Sequence, residues 1–457
     1  MYLDAQGGAG ADGAVPGVSV QVPGPLRGYQ LQWPGGSNRI VEAVRASLAC
    51  LAMAPDRVSI PLLSAVYRAP FGKTPFSVFL AGQSGVFKTT MAAICQQHFG
   101  KDMGAGNLPA NFASTGNALE ALAFQAKDTL LVVDDYAPGY KSGDGELYHL
   151  AERLFRAAGN GQGRTRLRGG GQVESVQPPR ALLLATGEKV PPGRSIRARL
   201  IVVAVELGDA DRAALSECQR AGQDGLLAES MSAFIAWIAA NYEERQGRLQ
   251  AKVLAMRVHG DRKLAHARLP AALADLQAGW EMFLEFAFEV GAINSVERDQ
   301  LEKRAGIAFP LLALLQAQYH EAGDPAARFL RLLEAALACG QGHVADRQGK
   351  APREAAQWGW HRKGVGWIPS GTRFGWISGQ DLFLDPTISY QLAQQQAGPE
   401  RLLFGQQAMR QRLRQAGLLA SVDRGRGMVQ VRRTLEGSPK QVLHLKARDL
   451  LSGPEGC

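Results

Sequence analysis

Apolar residues along the chain fall into two regimes that change near Gly208. Before it, short unalternating runs recur: FSVFLA at 76–81, TLLVVDD at 129–135, ALLLATGE at 181–188 and LIVVAVE at 200–206. Runs of that length suit strands of a parallel sheet buried on both faces. Helical spacing fills the intervals. IVEAVRASLACLAMA follows the N-cap residues Ser37-Asn38, and further helices are predicted near 58–69, 88–99 and 116–126, with a short strand near 111–114. Strands alternating with helices predict an α/β core over roughly 70–208. From 210 to 340 the period is almost continuously helical. Trp237, Tyr242, Trp280, Phe283 and Phe286 fall at helical spacing there, as core packing requires.

The ends read differently. Residues 1–36 are rich in Gly and Pro and predict a flexible lead-in. After a Gly-, His- and Trp-rich linker, GWISGQDLFLDP at 375–386 reads as a hairpin turning at Ser-Gly. Near the end, a helix closing at Gly417 precedes a basic strand-turn-strand unit, the pattern of a winged helix-turn-helix. The expected organisation is a lead-in (1–36), amino-terminal helices (37–75), a P-loop parallel-sheet core (76–208), an all-helical region (209–340), a linker with hairpin (341–386) and a winged helix (387–457).

Composition narrows the class. With 46% hydrophobic and 20% charged residues the chain is globular, and no apolar run approaches a membrane span. The amino terminus lacks the basic-then-apolar order of a signal peptide. Five scattered cysteines without C-x-x-C pairing argue for a reducing, cytoplasmic setting and against a zinc or disulfide framework. Of the net charge of +9, residues 401–457 carry eleven Lys or Arg against four Asp or Glu, so a polyanionic partner is looked for there first.

The candidate chemistry begins at the first strand. Gly82-Gln83-Ser84-Gly85-Val86-Phe87-Lys88-Thr89 follows G-x-x-x-x-G-K-[ST] except that Phe87 replaces the last glycine. Gly82 and Gly85 would let backbone N–H groups curl around phosphates, Lys88 would neutralise charge, and Thr89 (or, less directly, Thr90) would ligate Mg²⁺. Phe87 is compatible with such a cradle in the right-handed region and incompatible where φ must be positive. Sequence leaves both open. Asp134 and Asp135 end the 129–135 run, Asp134 to hold Mg²⁺ through water and Asp135 to orient the attacking water; a solvated turn is the alternative. Thr186 ends the next run, where it would meet the γ-phosphate or the water. Arg194, Arg197 and Arg199 precede the last strand, where one can reach a neighbouring subunit's γ-phosphate in trans; ordinary surface charge is the alternative.

In this order, the parts resemble an AAA+ ATPase of the additional-strand type. More narrowly they resemble the helicase-like ATPases of phages, plasmids and other mobile elements, related to superfamily 3 and MCM helicases. GQSGVFKTTMAAICQQHFG, the GQGRTRLRGGG loop and the tail GLLASVDRGRGMVQVRRTLEGSPKQVLHL carry the resemblance. It implies a ring-forming ATPase that translocates on nucleic acid, uses ATP and Mg, and often works beside a primase or polymerase. Members often have G-x-F-K in the loop, so Phe87 reads as a variant. No primase-like acidic centre is present in this sequence.

In such a ring, Arg164, Arg166 and Arg168 of the Gly-rich loop would track single-stranded DNA in the pore, unless they are merely solvated. Arg410, Arg412 and Arg414 would lie on a recognition helix against duplex, with Arg424, Arg426, Arg432 and Arg433 on the wing; a winged helix serving only protein contacts is the alternative. The expected function is an ATP-driven DNA helicase or translocase in replication of a mobile element. The competing readings are a non-hydrolysing, nucleotide-switched DNA binder and an ATPase of a defence or transposition complex.

Overall fold

The computed structural model describes residues 1–138, 144–163, 177–259, 268–322, 325–397, 402, 405–423 and 428–451. The chain divides into two compact units, Met1–His320 and Glu321–Cys457. The first contains five parallel strands, β1 (Ser77–Ala81), β2 (Ala110–Asn111), β3 (Leu130–Tyr136), β4 (Leu182–Gly187) and β5 (Leu200–Ala204), in the order β2-β3-β4-β1-β5. Each strand predicted from an apolar run is present, and β1 and the first four residues of β5 are buried throughout. Because β4 inserts between β3 and β1, the loops leaving these three strands open side by side at one edge of the sheet. The helices of this unit are α1 (Ser37–Ala49), α2 (Asp56–Arg68), α3 (Lys88–Gln97), α4 (Gly116–Gln125), α5 (Asp144–Asn160), α6 (Arg194–Arg197), α7 (Arg212–Gln223), α8 (Leu226–Ala240), α9 (Tyr242–His259), α10 (Leu269–Glu289) and α11 (Ser295–Ala322). Among the described residues no helix is long and apolar enough to cross a membrane.

Two glutamines complete the sheet where strands do not. Buried backbone groups must find partners, and β2 is too short to reach the start of β3. There Gln96 accepts from Val132 N (2.9 Å) and donates to Leu130 O (3.2 Å), while the Tyr29 hydroxyl donates to the same carbonyl at 2.8 Å. On the far edge Gln316 accepts from Val202 N (2.8 Å) and donates to Val202 O (2.5 Å), standing in for a sixth strand. A carboxamide carries both a donor and an acceptor, so one side chain satisfies both backbone groups.

The expected break at 208/209 is absent. Helix α10 packs on α2, and Gly279 permits the approach: a Cβ there would stand 2.6 Å from Arg68 Cβ. Tyr67 stacks on Phe283 with centroids 3.7 Å apart and hydrogen-bonds Ser47 and Ser230 at 2.8 and 2.7 Å. Arg68 pairs with Asp275 at 2.7 Å, both buried. One hydrophobic cluster therefore runs from Ala9 to Leu312. Residues 1–36 also depart from the predicted flexible lead-in. They form three short antiparallel strands (Tyr2–Leu3, Gly8–Gly10, Gly13–Val15) and bury Leu26, Tyr29 and Leu31. Sequence periodicity misses this segment because its burial depends on a few isolated side chains.

The second unit joins what the sequence pattern separated at 386/387. Strands β6 (Gly342–Asp346), β7 (Thr372–Ser378), β8 (Asp381–Leu384), β9 (Val431–Leu435) and β10 (Ser438–Lys446) form one mixed sheet in the order β9-β10-β8-β7-β6. Helices α12 (Pro325–Ala338), α13 (Ile388–Ala397), α14 (Gln406–Gln415) and α15 (Ala447–Leu451) accompany it. The helix and hairpin expected of a winged helix are present as α14 and β9–β10. The hairpin, however, is built into a larger sheet through β8–β10 pairing. Glu436 turns it at φ 54° and is held by Lys440 (2.8 Å), Trp376 Nε1 (3.3 Å) and Arg373 (3.2 Å).

Replacing Gln316 by Ala should lower the unfolding free energy by about 1–3 kcal/mol for each backbone group left unpaired, read by urea denaturation. A second expectation concerns His98, whose imidazole burial pushes down to about 4. The unfolded ring titrates near 6.5, so the unfolded state takes up the proton first as pH falls. Stability is then fully present above about pH 6.5 and is lost toward pH 4, by on the order of 3 kcal/mol. Denaturation midpoints at pH 7 and 5 should differ less in His98→Gln than in the parent.

Candidate nucleotide site

The loop between β1 and α3 is shaped by two glycines. A Cβ at Gly82 would sit 2.4 Å from Val205 O, so only glycine allows the strand end to pass that carbonyl. Gly85 takes φ 85° with open space around it. Between them Gln83 and Ser84 are exposed, whereas Val86 points into the core. Phe87 adopts φ 64° and ψ 24°, the left-handed conformation in which phenylalanine was expected to break the cradle. The side chain turns outward, 36% exposed, with the Arg212 guanidinium 5.4 Å from the ring centroid. The conformation costs about 1–2 kcal/mol.

Beyond Phe87, α3 starts with no side-chain cap, so its first N–H groups face the loop without an internal acceptor. Lys88 Nζ donates to Gln83 O at 2.6 Å and so folds over the loop. Burial pushes the Lys88 ammonium pKa down, against the pull of Glu188, Asp134 and Asp135. Thr90 lies one residue beyond Thr89 on α3.

The loop meets the ends of β3 and β4 through hydroxyl groups. Thr89 Oγ1 donates to Asp134 Oδ1 at 3.0 Å, and Thr186 Oγ1 donates to the same oxygen at 2.5 Å. Asp135 N donates to Thr186 Oγ1 at 3.0 Å. Asp135 takes φ 64°, and the β3–β4 register shifts between Val133 and Tyr136. The two carboxylates are thereby separated: Asp134 turns toward Thr89 while Asp135 is exposed. Thr186 is only 1% exposed, and its hydroxyl is spent on Asp134 and Asp135. The residue expected to meet the γ-phosphate or the water thus holds the two acids in this structure. Glu188, two residues on, is the group sequence reasoning missed; its signal was a carboxylate closing the same apolar run. Thr89 and Asp134 offer only oxygen, a donor set that fits a hard cation such as Mg²⁺.

The three arginines separate clearly. Arg199 is buried and donates to Asn160 Oδ1 at 3.0 and 2.7 Å and to Ser195 Oγ at 3.0 Å. Arg197 donates to Pro191 O at 3.2 Å and to Tyr319 O. Both are tethered within their own unit in this structure. Arg194 is the exposed member, at the start of α6.

Arg164, Arg166, Arg168, Arg424 and Arg426 lie outside the described residues. On α14, Arg410 and Arg414 share a side, while Arg412, two residues from each, falls about 200° round, so the three do not make one face. On β9, Arg432 is exposed, whereas Arg433 donates to Arg432 O (3.0 Å) and Ser421 Oγ (3.4 Å). His444 is structural, joining Ser421 (2.7 Å) to Asp381 (3.0 Å), an acid that Lys446 also holds at 2.7 Å.

Phe87→Gly should relieve the left-handed conformation and raise stability by about 1 kcal/mol, whereas Phe87→Val should lower it, since a β-branched side chain tolerates positive φ least. Thermal melts with and without nucleotide check both.

The model of a family described as a domain of unknown function, DUF927, matches residues 57–177, which include the loop, α3 and β3. No curated protein matches the chain. Among solved structures, "SCCmec type IV Cch - active helicase" superposes with a TM-score of 0.52 at 12% identity, covering 95% of this chain and 73% of that one. An inhibitor-bound JCV helicase gives a TM-score of only 0.26 at 15% identity, covering 51% of this chain and 66% of that one. The chain thus shares, along most of its length, the fold of a protein described as an active helicase.

Proposed function

We propose that the chain is an ATP-dependent DNA helicase or translocase that works as a hexamer-like ring, in replication of a mobile element. The observation that carries this reading is the Thr89–Asp134–Thr186 linkage, which joins the ends of β1, β3 and β4 into one oxygen-rich site beside Lys88. The Gly82–Phe87 loop and the uncapped start of α3 would take the β- and γ-phosphates, with Lys88 leaving Gln83 O to neutralise them. Thr89 and Asp134 would hold Mg²⁺, which supplies charge neutralisation at the phosphates. Asp135, turned outward by its left-handed backbone, would accept a hydrogen bond from the attacking water and orient it. Arg194, exposed at the start of α6, is the arginine proposed to act in trans on a neighbouring subunit's γ-phosphate. The remaining basic residues of α14 and β9 would serve duplex phosphates.

A second reading draws on one observation, the left-handed Phe87: a strained loop could bind nucleotide without turnover and act as a switch for DNA binding. Steady-state hydrolysis with and without single-stranded DNA separates the two. On the motor reading, Lys88→Ala and Asp135→Asn each lower DNA-stimulated kcat at least about 100-fold. Arg194→Ala lowers it about 1,000-fold or more with nucleotide affinity kept. Arg199→Ala should instead lower the melting temperature. Wild-type protein without DNA-stimulated hydrolysis would overturn the motor reading in favour of the switch.

A further inference from the structure

In the second unit a hairpin of two strands, Trp360–Lys363 and Gly366–Pro369, forms a ribbon separate from the five-stranded sheet. Residues 361–369 are all exposed, including Val365 (109%), Trp367 (37%) and Ile368 (38%). A two-stranded ribbon bare on both faces is marginal by itself. This one is fixed at its base. Trp360 is buried and donates from Nε1 to Val344 O at 2.8 Å, Ser370 N donates to Gly359 O at 2.9 Å, and His361 Nδ1 meets Ser370 Oγ at 3.0 Å. Exposed apolar side chains gathered on an anchored projection form the kind of patch that a binding partner covers.

The register says what that occupant is. Arg362 pairs with Trp367 and therefore shares its face, the guanidinium lying 5.6 Å from the ring centroid. Lys363 pairs with Gly366 on the opposite face, beside His361 and Ile368. No Asp or Glu occurs from 355 to 380, so the ribbon's own sequence brings no counter-charge to Arg362 and Lys363. The third cation of that stretch, Arg373, is already held by Glu436. An exposed indole with one cation on its own face and a second on the ribbon's other face is matched by a polyanion that also carries flat rings. An acidic protein surface would satisfy the cations and leave the indole unused.

We propose that the hairpin Trp360–Pro369 is a contact for single-stranded nucleic acid, with Trp367 stacking a base, Arg362 holding a phosphate on that face and Lys363 holding one that passes over the hairpin's tip to the other face. The assignment rests on the reading of the chain as a DNA-acting protein and adds a site apart from the arginines of α14 and β9.

Fluorescence anisotropy of a labelled thirty-nucleotide dT oligomer with the full chain, titrated across NaCl concentrations, tests it. Reversing two charges, Arg362→Glu with Lys363→Glu, should weaken binding at least about 10-fold and make the log–log salt slope shallower by about 1.4, two phosphates' worth. Trp367→Ala should weaken it about 5- to 100-fold, and Trp367→Phe should restore most of the affinity. Circular dichroism melts matching the parent would show that the exposed ribbon's variants fold. Wild-type binding with unchanged affinity and slope in all variants would overturn the hairpin assignment and leave the motor reading standing. Wild-type protein with no affinity for the oligomer would overturn both. Variants that lose assembly mass, with DNA affinity falling only in step with it, would make the hairpin a protein contact and overturn the assignment.

Discussion

The hydroxyl of Thr186 is the point on which the site's geometry turns. It is buried at the end of β4, the strand inserted between β1 and β3, and a buried hydroxyl must be paired. It accepts from Asp135 N and donates to Asp134 Oδ1, and these two bonds accompany the register shift that ends β3. The same shift accompanies the left-handed backbone of Asp135, so the two adjacent acids face different surroundings. β4 stands between the loop after β1 and the acids after β3, and its Thr186 hydroxyl engages both acids where Asp134 meets Thr89 of the loop's helix. The strand order therefore does more for the site than any single acidic residue.

A sheet open on both edges raises a second constraint, and the protein meets it with side chains. Gln96 and Tyr29 complete β3 where β2 has not begun; Gln316 completes β5. Each of these residues comes from a different part of the chain: α3, the amino-terminal segment and α11. Satisfying the sheet thus draws the lead-in and the helical region into one core. The stacking of Tyr67 on Phe283 and the close approach at Gly279 extend that core to α10. The helical region is part of the unit that holds the site.

Phe87 shows how a local rule can be violated at modest cost. Its left-handed backbone is what a glycine would provide at no steric cost, and its side chain turns outward from the loop. In the second unit, by contrast, cations are mostly placed by pairing. Arg373 and Lys440 converge on Glu436, Arg433 reaches Ser421, and Lys446 holds Asp381, which leaves the charges of the 360–369 ribbon conspicuous. Net charge alone did not point to that ribbon, because the sequence excess lies further along, after residue 400.

Much of the first unit was legible in the sequence. Four apolar runs gave the four long strands, because a strand covered on both faces needs no polar alternation. The G-x-x-x-x-x-K-T spacing and the acids ending β3 marked the site, because phosphate and metal chemistry constrain residue type locally. Other features depended on contacts across the chain. Arg199 looked like its neighbours until Asn160 and Ser195 enclosed it, and Tyr29 looked like part of a loop until Leu130 O received it. Glu188 acquired significance only beside Lys88, and the tail hairpin only when β8 paired with β10. Sequence by itself determined the long buried strands and the helices of the first unit and marked the residue types of the candidate loop, since both follow from period and functional group. Tertiary structure alone decided strand order, the partner of each buried polar group and the sign of φ at Phe87 and Asp135, since those depend on atoms distant in sequence.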